Sequence, residues 1–135
     1  MNSNQIQWRP VMKLCIANES KFLGPGSRQL LSLIEATGSV RLACEEMNLS
    51  YSKAWKILNN MEKQAGFPIL VRKHGGKTGG ETYLTEQGKA LMEQFERYEQ
   101  ECNQAVSQIF MKHFGTVEEA EEEQHGGRSG LNPGF

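Results

Sequence analysis

Polar and basic side chains recur at helical spacing near the middle of the chain: Ser52, Lys56, Asn59 and Lys63. At about 100° per residue these positions share one face of a helix, and Lys53 lies beside it. Amide and hydroxyl groups can pair with the edges of DNA bases, and ammonium groups can reach phosphates. The spacing therefore predicts a helix that enters the major groove of duplex DNA, although a solvated amphipathic helix would carry the same pattern.

A basic, glycine-rich stretch follows this helix. Between residues 72 and 80 there are four glycines, no acidic residue and three basic residues, namely Arg72, Lys73 and Lys77. Short apolar runs at 69–71 and 82–84 flank the stretch and predict a two-stranded hairpin. Glycines let a backbone approach another molecule closely, and fixed positive charges attract phosphates. We therefore predict that this hairpin contacts the DNA backbone.

The helix with the polar face needs a core to hold it. Its opposite face carries apolar residues at spacings of three and four: Ala54, Ile57, Leu58 and Met61. Ser50 can act as its N-cap, because a serine hydroxyl accepts a hydrogen bond from an N–H of the first turn. Tyr51 lies in that turn, where its hydroxyl can reach a phosphate. Trp55 falls between the two faces and is predicted to pack at the domain edge or against the hairpin.

Two other helices are predicted before this one. Gly38 can end the first and Ser39 can cap the second. The apolar stripe of the second helix is Val40, Ala43, Cys44 and Met47. Residues 47–50 then form a break of the length found in a helix-turn-helix. Pro25 suits the N1 position of the first helix. With the basic hairpin at its end, this order predicts a mainly α fold with a small β-wing, a winged helix-turn-helix.

A long helix is predicted after the hairpin, from about residue 85 to residue 112, with Thr85 as its cap. Its apolar residues alternate at four and three, as in a heptad seam: Leu91, Phe95, Tyr98, Cys102, Ala105 and Ile109. A helix about 40 Å long is more than a compact module can bury alone. We therefore predict a homodimer that forms along this seam. A helix folded wholly onto its own domain is the alternative. The segment Val11–Ile16 is predicted to be a strand that pairs with the wing or crosses the dimer.

The formal net charge of −1 conceals an uneven distribution. Residues 50–80 hold six Lys or Arg and one Glu, a net charge of +5. Residues 116–135 hold five Glu and one Arg, a net charge of −4, and are rich in glycine. The basic charge therefore coincides with the proposed DNA surface. The tail is predicted to be disordered, with screening of the basic surface as a weaker hypothesis for its role.

Several classes of function are not indicated. The chain has no apolar run long enough to span a membrane and no signal-peptide pattern, so we expect a cytoplasmic protein associated with a bacterial or archaeal nucleoid. Its three cysteines are far apart, which fits reduced thiols. Neither a metal-ligand spacing nor a nucleophile with its base stands out. We therefore expect no enzyme activity, no metal and no cofactor.

The residues as a set resemble a known family. The stretches concerned are Gly38–Ser39, Leu49–Trp55, Asn60–Met61, Val71–Arg72, Gly75–Gly80 and Leu84–Gly88. They look like the N-terminal domain of the molybdate-responsive ModE-type regulators, which are winged helix-turn-helix modules related to the LysR-type regulators. The pairing of Ser-Tyr-x-x-Ala-Trp with a Gly-Gly-Lys-x-Gly-Gly wing is fairly specific to that family. The resemblance covers roughly residues 11–110.

The resemblance implies several properties. The helix from Tyr51 would enter the major groove, and the wing at Lys77 would contact the nearby backbone. Such regulators dimerise through the helix after the wing and the N-terminal segment. Full-length members also carry C-terminal domains that bind molybdate. The last stretch of this chain has no strand-rich pattern, so no molybdate site is expected, and we expect a single-domain member.

The sequence predicts a winged helix-turn-helix domain over residues 1–115, including the dimerisation helix, and an acidic disordered tail over residues 116–135. The predicted DNA-binding residues are Ser50, Tyr51, Ser52, Lys53, Lys56, Asn59, Lys63, Arg72, Lys73 and Lys77. The predicted function is sequence-specific binding of double-stranded DNA by a homodimeric transcriptional regulator, with a link to molybdate metabolism that the resemblance implies. Two alternatives remain: a protein-interaction adaptor that does not bind DNA, and an oxyanion sensor that holds molybdate or tungstate at the dimer interface. The residues identify no effector.

Overall fold

The computed structural model describes residues 7–73 and 81–115. Over these residues the elements are β1 (Ile16–Ala17), β2 (Lys21–Leu23), α1 (Pro25–Thr37), α2 (Val40–Met47), α3 (Tyr51–Ala65), β3 (Leu70–Lys73), β4 (Glu81–Leu84) and α4 (Glu86–Phe114). This order confirms the predicted mainly helical winged helix-turn-helix with a long last helix. Lys77 and the predicted tail at 116–135 lie outside the described residues.

Side-chain caps fix where the helices begin, as predicted. The hydroxyl of Ser39 accepts a hydrogen bond from the Leu42 N–H at the start of α2, and Ser50 does the same for Lys53 at the start of α3. Thr85 accepts from the Gly88 N–H at 2.9 Å in the first turn of α4. Each cap satisfies an N–H that has no partner within its helix. The chain therefore defines these three boundaries locally.

The turn between α2 and α3 occupies residues 48–50. Asn48 has a φ of 56°, which is left-handed, and its N–H donates to the carbonyl oxygens of Cys44 and Glu45. Asparagine tolerates this conformation better than most residues. Gly38 ends α1 in the same conformation, with a φ of 73°. A Cβ there would lie 3.3 Å from the hydroxyl oxygen of Tyr83, so both conformation and space favour glycine.

A single apolar core joins α1, α2, α3 and the strands of the wing. Its buried members are Leu30, Leu31, Ile34, Val40, Ala43, Cys44, Ala54, Leu58, Met61, Ile69 and Leu84. The predicted apolar faces of α2 and α3 both contribute to it. Burial raises the pKa of the Cys44 thiol, and the nearby Glu45 carboxylate raises it further. Cys44 therefore serves as a small apolar core residue, as its position in the stripe predicts.

The wing is an antiparallel pair of β3 and β4. Leu70 lies opposite Leu84, Arg72 opposite Thr82 and Lys73 opposite Glu81. Residues that face each other in such a pair project to the same side of the ribbon. Leu84 and Thr82 are buried, so Leu70 and Arg72 lie on the inner side and Lys73 on the outer side.

The predicted strand at Val11–Ile16 is wrong in extent and in partner. Only Ile16–Ala17 forms a strand, and it pairs with Lys21–Leu23 rather than with the wing. The alternation of residue types over 11–16 suggested a strand, but it does not indicate which other strand is available as a partner. The partner is the strand that follows directly in the chain, β2, and the two form a short local hairpin.

The described part of the chain divides into two compact units: one lies within residues 13–97, and the other combines residues 7–12 with 98–115. The first unit contains the winged helix-turn-helix. In the second, the Trp8 ring meets the Phe114 ring near the end of α4, with centroids 5.7 Å apart. Among the described residues, no helix combines the length and apolar character needed to cross a bilayer.

The predicted dimer seam on α4 requires a correction at its first two positions. Phe95 is only 1 % exposed, and Leu91 packs against the apolar core of its own domain. The helix can approach that core because Gly88 has no side chain: a Cβ there would lie 2.7 Å from the Ile69 carbonyl oxygen. Leu91 and Phe95 therefore stabilise the monomer. Tyr98 and Ile109 remain 48 % and 56 % exposed.

Candidate nucleic-acid interface

The outward face of α3 carries the side chains that the sequence selected. Ser52, Lys56, Asn59 and Lys63 are all exposed. Within residues 7–73 and 81–115, none of these four side chains makes a hydrogen bond or an ion pair. Lys53 is also exposed, one step round the helix. This face therefore offers two amide or hydroxyl groups and two ammonium groups to another molecule, with a third ammonium beside them.

One flank of α3 is fixed to the β1–β2 hairpin by two amide side chains. The amide oxygen of Gln64 accepts hydrogen bonds from the N–H groups of Glu19 and Ser20, at 2.8 and 3.1 Å. Asn60 donates to the Lys21 carbonyl oxygen at 3.2 Å. Gln64 is only 8 % exposed. Neither amide was predicted from the sequence to hold this hairpin. The sequence does contain an indication for Gln64. It falls on the apolar side of the helix, where a buried polar side chain needs a hydrogen-bond partner.

The other flank of α3 is fixed to the wing. The Glu62 carboxylate accepts hydrogen bonds from the N–H groups of Ile69 and Leu70, at 2.8 and 2.9 Å through one oxygen. Glu62 is the one acidic residue between 50 and 80, and its position turns it towards β3 rather than outwards. The negative charge therefore lies at the flank, and the outward face itself carries no acid.

Trp55 lies on the same flank and meets the wing. The Arg72 guanidinium lies over its indole ring, with 4.1 Å from the guanidinium carbon to the ring centroid. The Tyr51 ring meets the indole edge-on, with centroids 6.3 Å apart at 76°. This arrangement confirms the prediction that Trp55 packs against the hairpin. It also shows that Arg72 stacks on an aromatic ring of its own domain, which sequence spacing did not indicate.

The other described basic residue of the wing lies on the opposite side of the ribbon. The Lys73 ammonium lies 5.9 Å from the centroid of the Tyr83 ring, at the limit of a cation–π contact. The Tyr83 hydroxyl donates to Glu81 at 2.8 Å, and this hydrogen bond is the main cause that raises the pKa of Tyr83. Arg72 and Lys73 therefore project from opposite sides of the ribbon, although the sequence alone predicts the same role for both.

The start of α3 forms the remaining edge of the site. Ser50 is exposed while its hydroxyl serves as the cap, and Tyr51 is 54 % exposed. Arg41 of α2 lines a shallow recess with Ser50 and Tyr51. Arg41 did not appear among the predicted DNA-binding residues, because nothing in the sequence placed it beside the start of α3.

In the described portion of the chain, no group of three His, Cys, Asp or Glu side chains could hold a metal ion. What the geometry offers is an exposed cationic helix, held on one flank by a hairpin and on the other by a wing. That is the architecture of a winged helix-turn-helix module of the DNA-binding type.

Comparison with known proteins shows what this module is similar to. Residues 28–89 match the model of the bacterial regulatory helix-turn-helix protein, lysR family. This segment, which runs from α1 through the wing to the start of α4, is therefore similar to the helix-turn-helix domain of that family.

Individual relatives are similar over much the same part of the chain. The molybdenum transport protein ModE of Azotobacter vinelandii is 35% identical over 81 residues, which are 60% of this chain and 30% of that protein. The transcriptional regulator ModE of Haemophilus influenzae is also 35% identical over 81 residues, 60% of this chain and 32% of that protein. For the DNA-binding transcriptional dual regulator ModE of Escherichia coli the identity is 31% over 75 residues, 56% of this chain and 29% of that protein.

These matches confirm the predicted resemblance to the helix-turn-helix domain of ModE-type regulators. They span only about a third of the length of the curated relatives. The likeness therefore concerns the helix-turn-helix domain and not the whole of those proteins.

Proposed function

We propose that this chain is a transcriptional regulator that binds double-stranded DNA in a sequence-specific manner through α3 and the wing. The observation that carries the proposal is the contrast between the faces of α3. Hydrogen bonds tie both flanks of the helix to the domain: Glu62 and Gln64 accept them from backbone N–H groups, and Asn60 donates one to a backbone carbonyl oxygen. The outward face, by contrast, is exposed and makes no such contacts within the described residues. A rigid helix with an uncommitted polar and cationic face suits a major groove.

The proposed contacts follow from side-chain chemistry. Ser52 and Asn59 read base edges, since hydroxyl and amide groups match the donors and acceptors in the major groove. Lys56 lies between them and reaches either bases or phosphates. The proposed phosphate contacts are Ser50, Tyr51, Lys53, Lys63, Arg72, Lys73 and Lys77. Arg41 joins this group because it shares a recess with Ser50 and Tyr51.

We also propose that the regulator acts as a homodimer through the second half of α4. The proposed seam is Tyr98, Cys102, Ala105 and Ile109, without the two residues that the core uses. The N-terminal segment supplies further exposed apolar side chains in the same unit, Trp8, Val11 and Met12. Exposed apolar surface of this kind commonly marks a protein–protein contact. A symmetric dimer would bind two related half-sites about 10 bp apart, or a multiple of that spacing.

A link to molybdenum metabolism is the finer part of the proposal. It rests on the names of the relatives, among which are molybdenum transport and molybdenum-pterin-binding proteins. Genomic footprinting tests it, with bound sites expected beside genes for molybdenum uptake or use. Bound sites that lie elsewhere would remove this part of the proposal and leave DNA binding intact.

The experiment for DNA binding itself begins with selection of bound duplexes from a random pool. Affinity for the selected duplex is then measured against salt concentration, since released counterions give a steep negative slope. Lys56→Ala with Lys63→Ala should flatten the slope by about two for each protomer bound. Lys112→Ala with Lys89→Ala is the matched control, which removes two lysines from α4 and should leave the slope unchanged. A wild-type chain that selects no duplex, or binds without salt dependence, would favour the adaptor alternative.

A further inference from the structure

The contact between Arg72 and Trp55 joins the wing to α3 through two side chains. Arg72 lies on the inner side of the ribbon, because it is two residues from Leu70 and opposite the buried Thr82. Trp55 lies on the flank of α3 that faces β3, one turn after Tyr51. The resulting separation of 4.1 Å is that of direct stacking between a guanidinium and an aromatic ring.

The indole is held from three directions. It packs against the apolar core on one side, and the Tyr51 ring meets it edge-on. Arg72 covers it from the wing. The Trp55 ring is half-buried and these neighbours restrict its motion, so the guanidinium stacks on a ring whose position is fixed. Arg72 itself is exposed, which leaves its outer edge accessible to another molecule.

We propose that Trp55 is a positioning residue, which holds the Arg72 guanidinium at the edge of α3 so that it binds a DNA phosphate. This inference rests on the proposed DNA-binding function. The geometry of arginine makes both contacts compatible. Stacking uses the face of the guanidinium, whereas its N–H donors lie in the plane and can grip a phosphate in a bidentate manner. Ordering the side chain before DNA arrives lowers the entropic cost of the contact.

Replacement of Trp55 should have an effect on DNA binding that the loss of a purely structural residue would not have. Trp55 carries no charge, so its replacement does not change the charge of the protein. If Trp55 positions a phosphate ligand, its loss nevertheless removes about one phosphate contact. The slope of log affinity against log salt should then flatten by about one for each protomer bound. A structural residue would lower the folded fraction and leave the slope of the folded molecules unchanged.

The test compares Trp55→Leu with Trp55→Phe in the full chain. Leucine keeps an apolar group against the core but offers no ring, whereas phenylalanine keeps a ring beneath the guanidinium. We expect Trp55→Leu to flatten the slope by about one for each protomer bound, and Trp55→Phe to retain the wild-type slope. Arg72→Ala should flatten it by the same amount, and the double variant Trp55→Leu with Arg72→Ala should not flatten it further. Additive effects of the two substitutions would overturn the inference.

A second measurement does not require a Trp55 variant to fold. In a Trp8→Phe chain, Trp55 is the remaining tryptophan, because the sequence contains two. Arg72→Ala should then change the emission of Trp55 in the absence of DNA, and addition of the selected duplex should change it only when Arg72 is present. If the emission of Trp55 is the same with and without the Arg72→Ala substitution, the inference is overturned.

The two proposals fail in different ways. If wild-type protein shows no salt-dependent duplex binding, the proposed function fails. If the wild type binds with a steep salt slope and Trp55→Leu keeps that slope, only the positioning role fails.

Discussion

One carboxylate oxygen of Glu62 accepts the N–H of Ile69 at 2.8 Å, so α3 holds the first residues that lead into the wing. The same oxygen accepts the Leu70 N–H at 2.9 Å. A charged acceptor shared by two backbone donors makes strong hydrogen bonds. The orientation of the wing relative to α3 therefore depends on a residue that cannot itself attract DNA.

Substitution of Glu62 tests this anchoring role. Glu62→Ala leaves two backbone N–H groups without their acceptor and should lower the free energy of unfolding by about 1.5–3 kcal/mol. Glu62→Gln keeps an oxygen acceptor and should lose less than about 1.5 kcal/mol. Chemical denaturation of both variants provides the measurement. Equal losses for the two variants would show that the hydrogen bonds are not the stabilising feature.

Substitution of two amides on α3 should affect different properties: Gln64 is expected to matter for stability, and Asn59 for DNA binding. Gln64→Leu leaves the N–H groups of Glu19 and Ser20 without their acceptor and should cost about 1–2 kcal/mol of stability. Asn59→Ala changes an exposed residue and should alter stability by less than about 0.5 kcal/mol, while it weakens binding to the selected duplex. Thermal unfolding and duplex titration, run on both variants, separate the roles. Loss of stability without loss of binding in Asn59→Ala would remove Asn59 from the interface.

The sequence predicted those features that depend on neighbouring residues. Ser39, Ser50 and Thr85 cap helices because the hydroxyl of an N-cap residue lies within reach of the N–H three residues later. Ala54, Leu58 and Met61 are buried because the helical period places them on one face. The outward face of α3 follows from the same period. Local geometry fixes these features, so they could be derived without the fold.

Features that depend on partners distant in the chain could not be derived. Heptad spacing placed Phe95 in a seam, but spacing does not say whether a second chain or the same domain covers it. Arg72 and Lys73 differ by one residue and look equivalent, until the register with β4 places them on opposite sides of the wing. The stacking of Arg72 on Trp55 needs that register together with the rotation of α3. Each of these is a tertiary relationship.

The division of α4 into a core half and an exposed half predicts different outcomes for two apolar substitutions. Phe95→Ala should lower the free energy of unfolding by about 3–5 kcal/mol, because it opens a cavity at a buried ring. Ile109→Glu should leave each protomer folded and shift the chain from dimer to monomer, because it places a charge in the proposed seam. Sedimentation equilibrium and denaturation measure the two effects. Gln108→Glu, which introduces the same charge at the adjacent exposed residue, is the control for Ile109→Glu and should remain dimeric.

Burial of the Cys44 thiol predicts a loss of stability at alkaline pH. The folded state raises the pKa of Cys44 above its ordinary value of 9.0, since the core disfavours the thiolate. A group whose pKa is raised on folding stabilises the protein fully below the unfolded pKa, and this contribution is lost as the pH rises through the folded pKa. Stability should therefore fall above about pH 9, and Tyr83, whose pKa is also raised, adds to the fall at higher pH.

Cys44→Ala isolates the contribution of the thiol. The variant should be less stable than wild type at neutral pH, because a buried group has been shortened, but its stability should fall less steeply between pH 8 and pH 10, a window about one unit either side of the unfolded pKa. Urea denaturation at several pH values measures the difference. Cys15→Ala is the matched control, since Cys15 is exposed and its loss should leave the pH dependence unchanged. Parallel curves for wild type and Cys44→Ala would show that another group causes the alkaline loss.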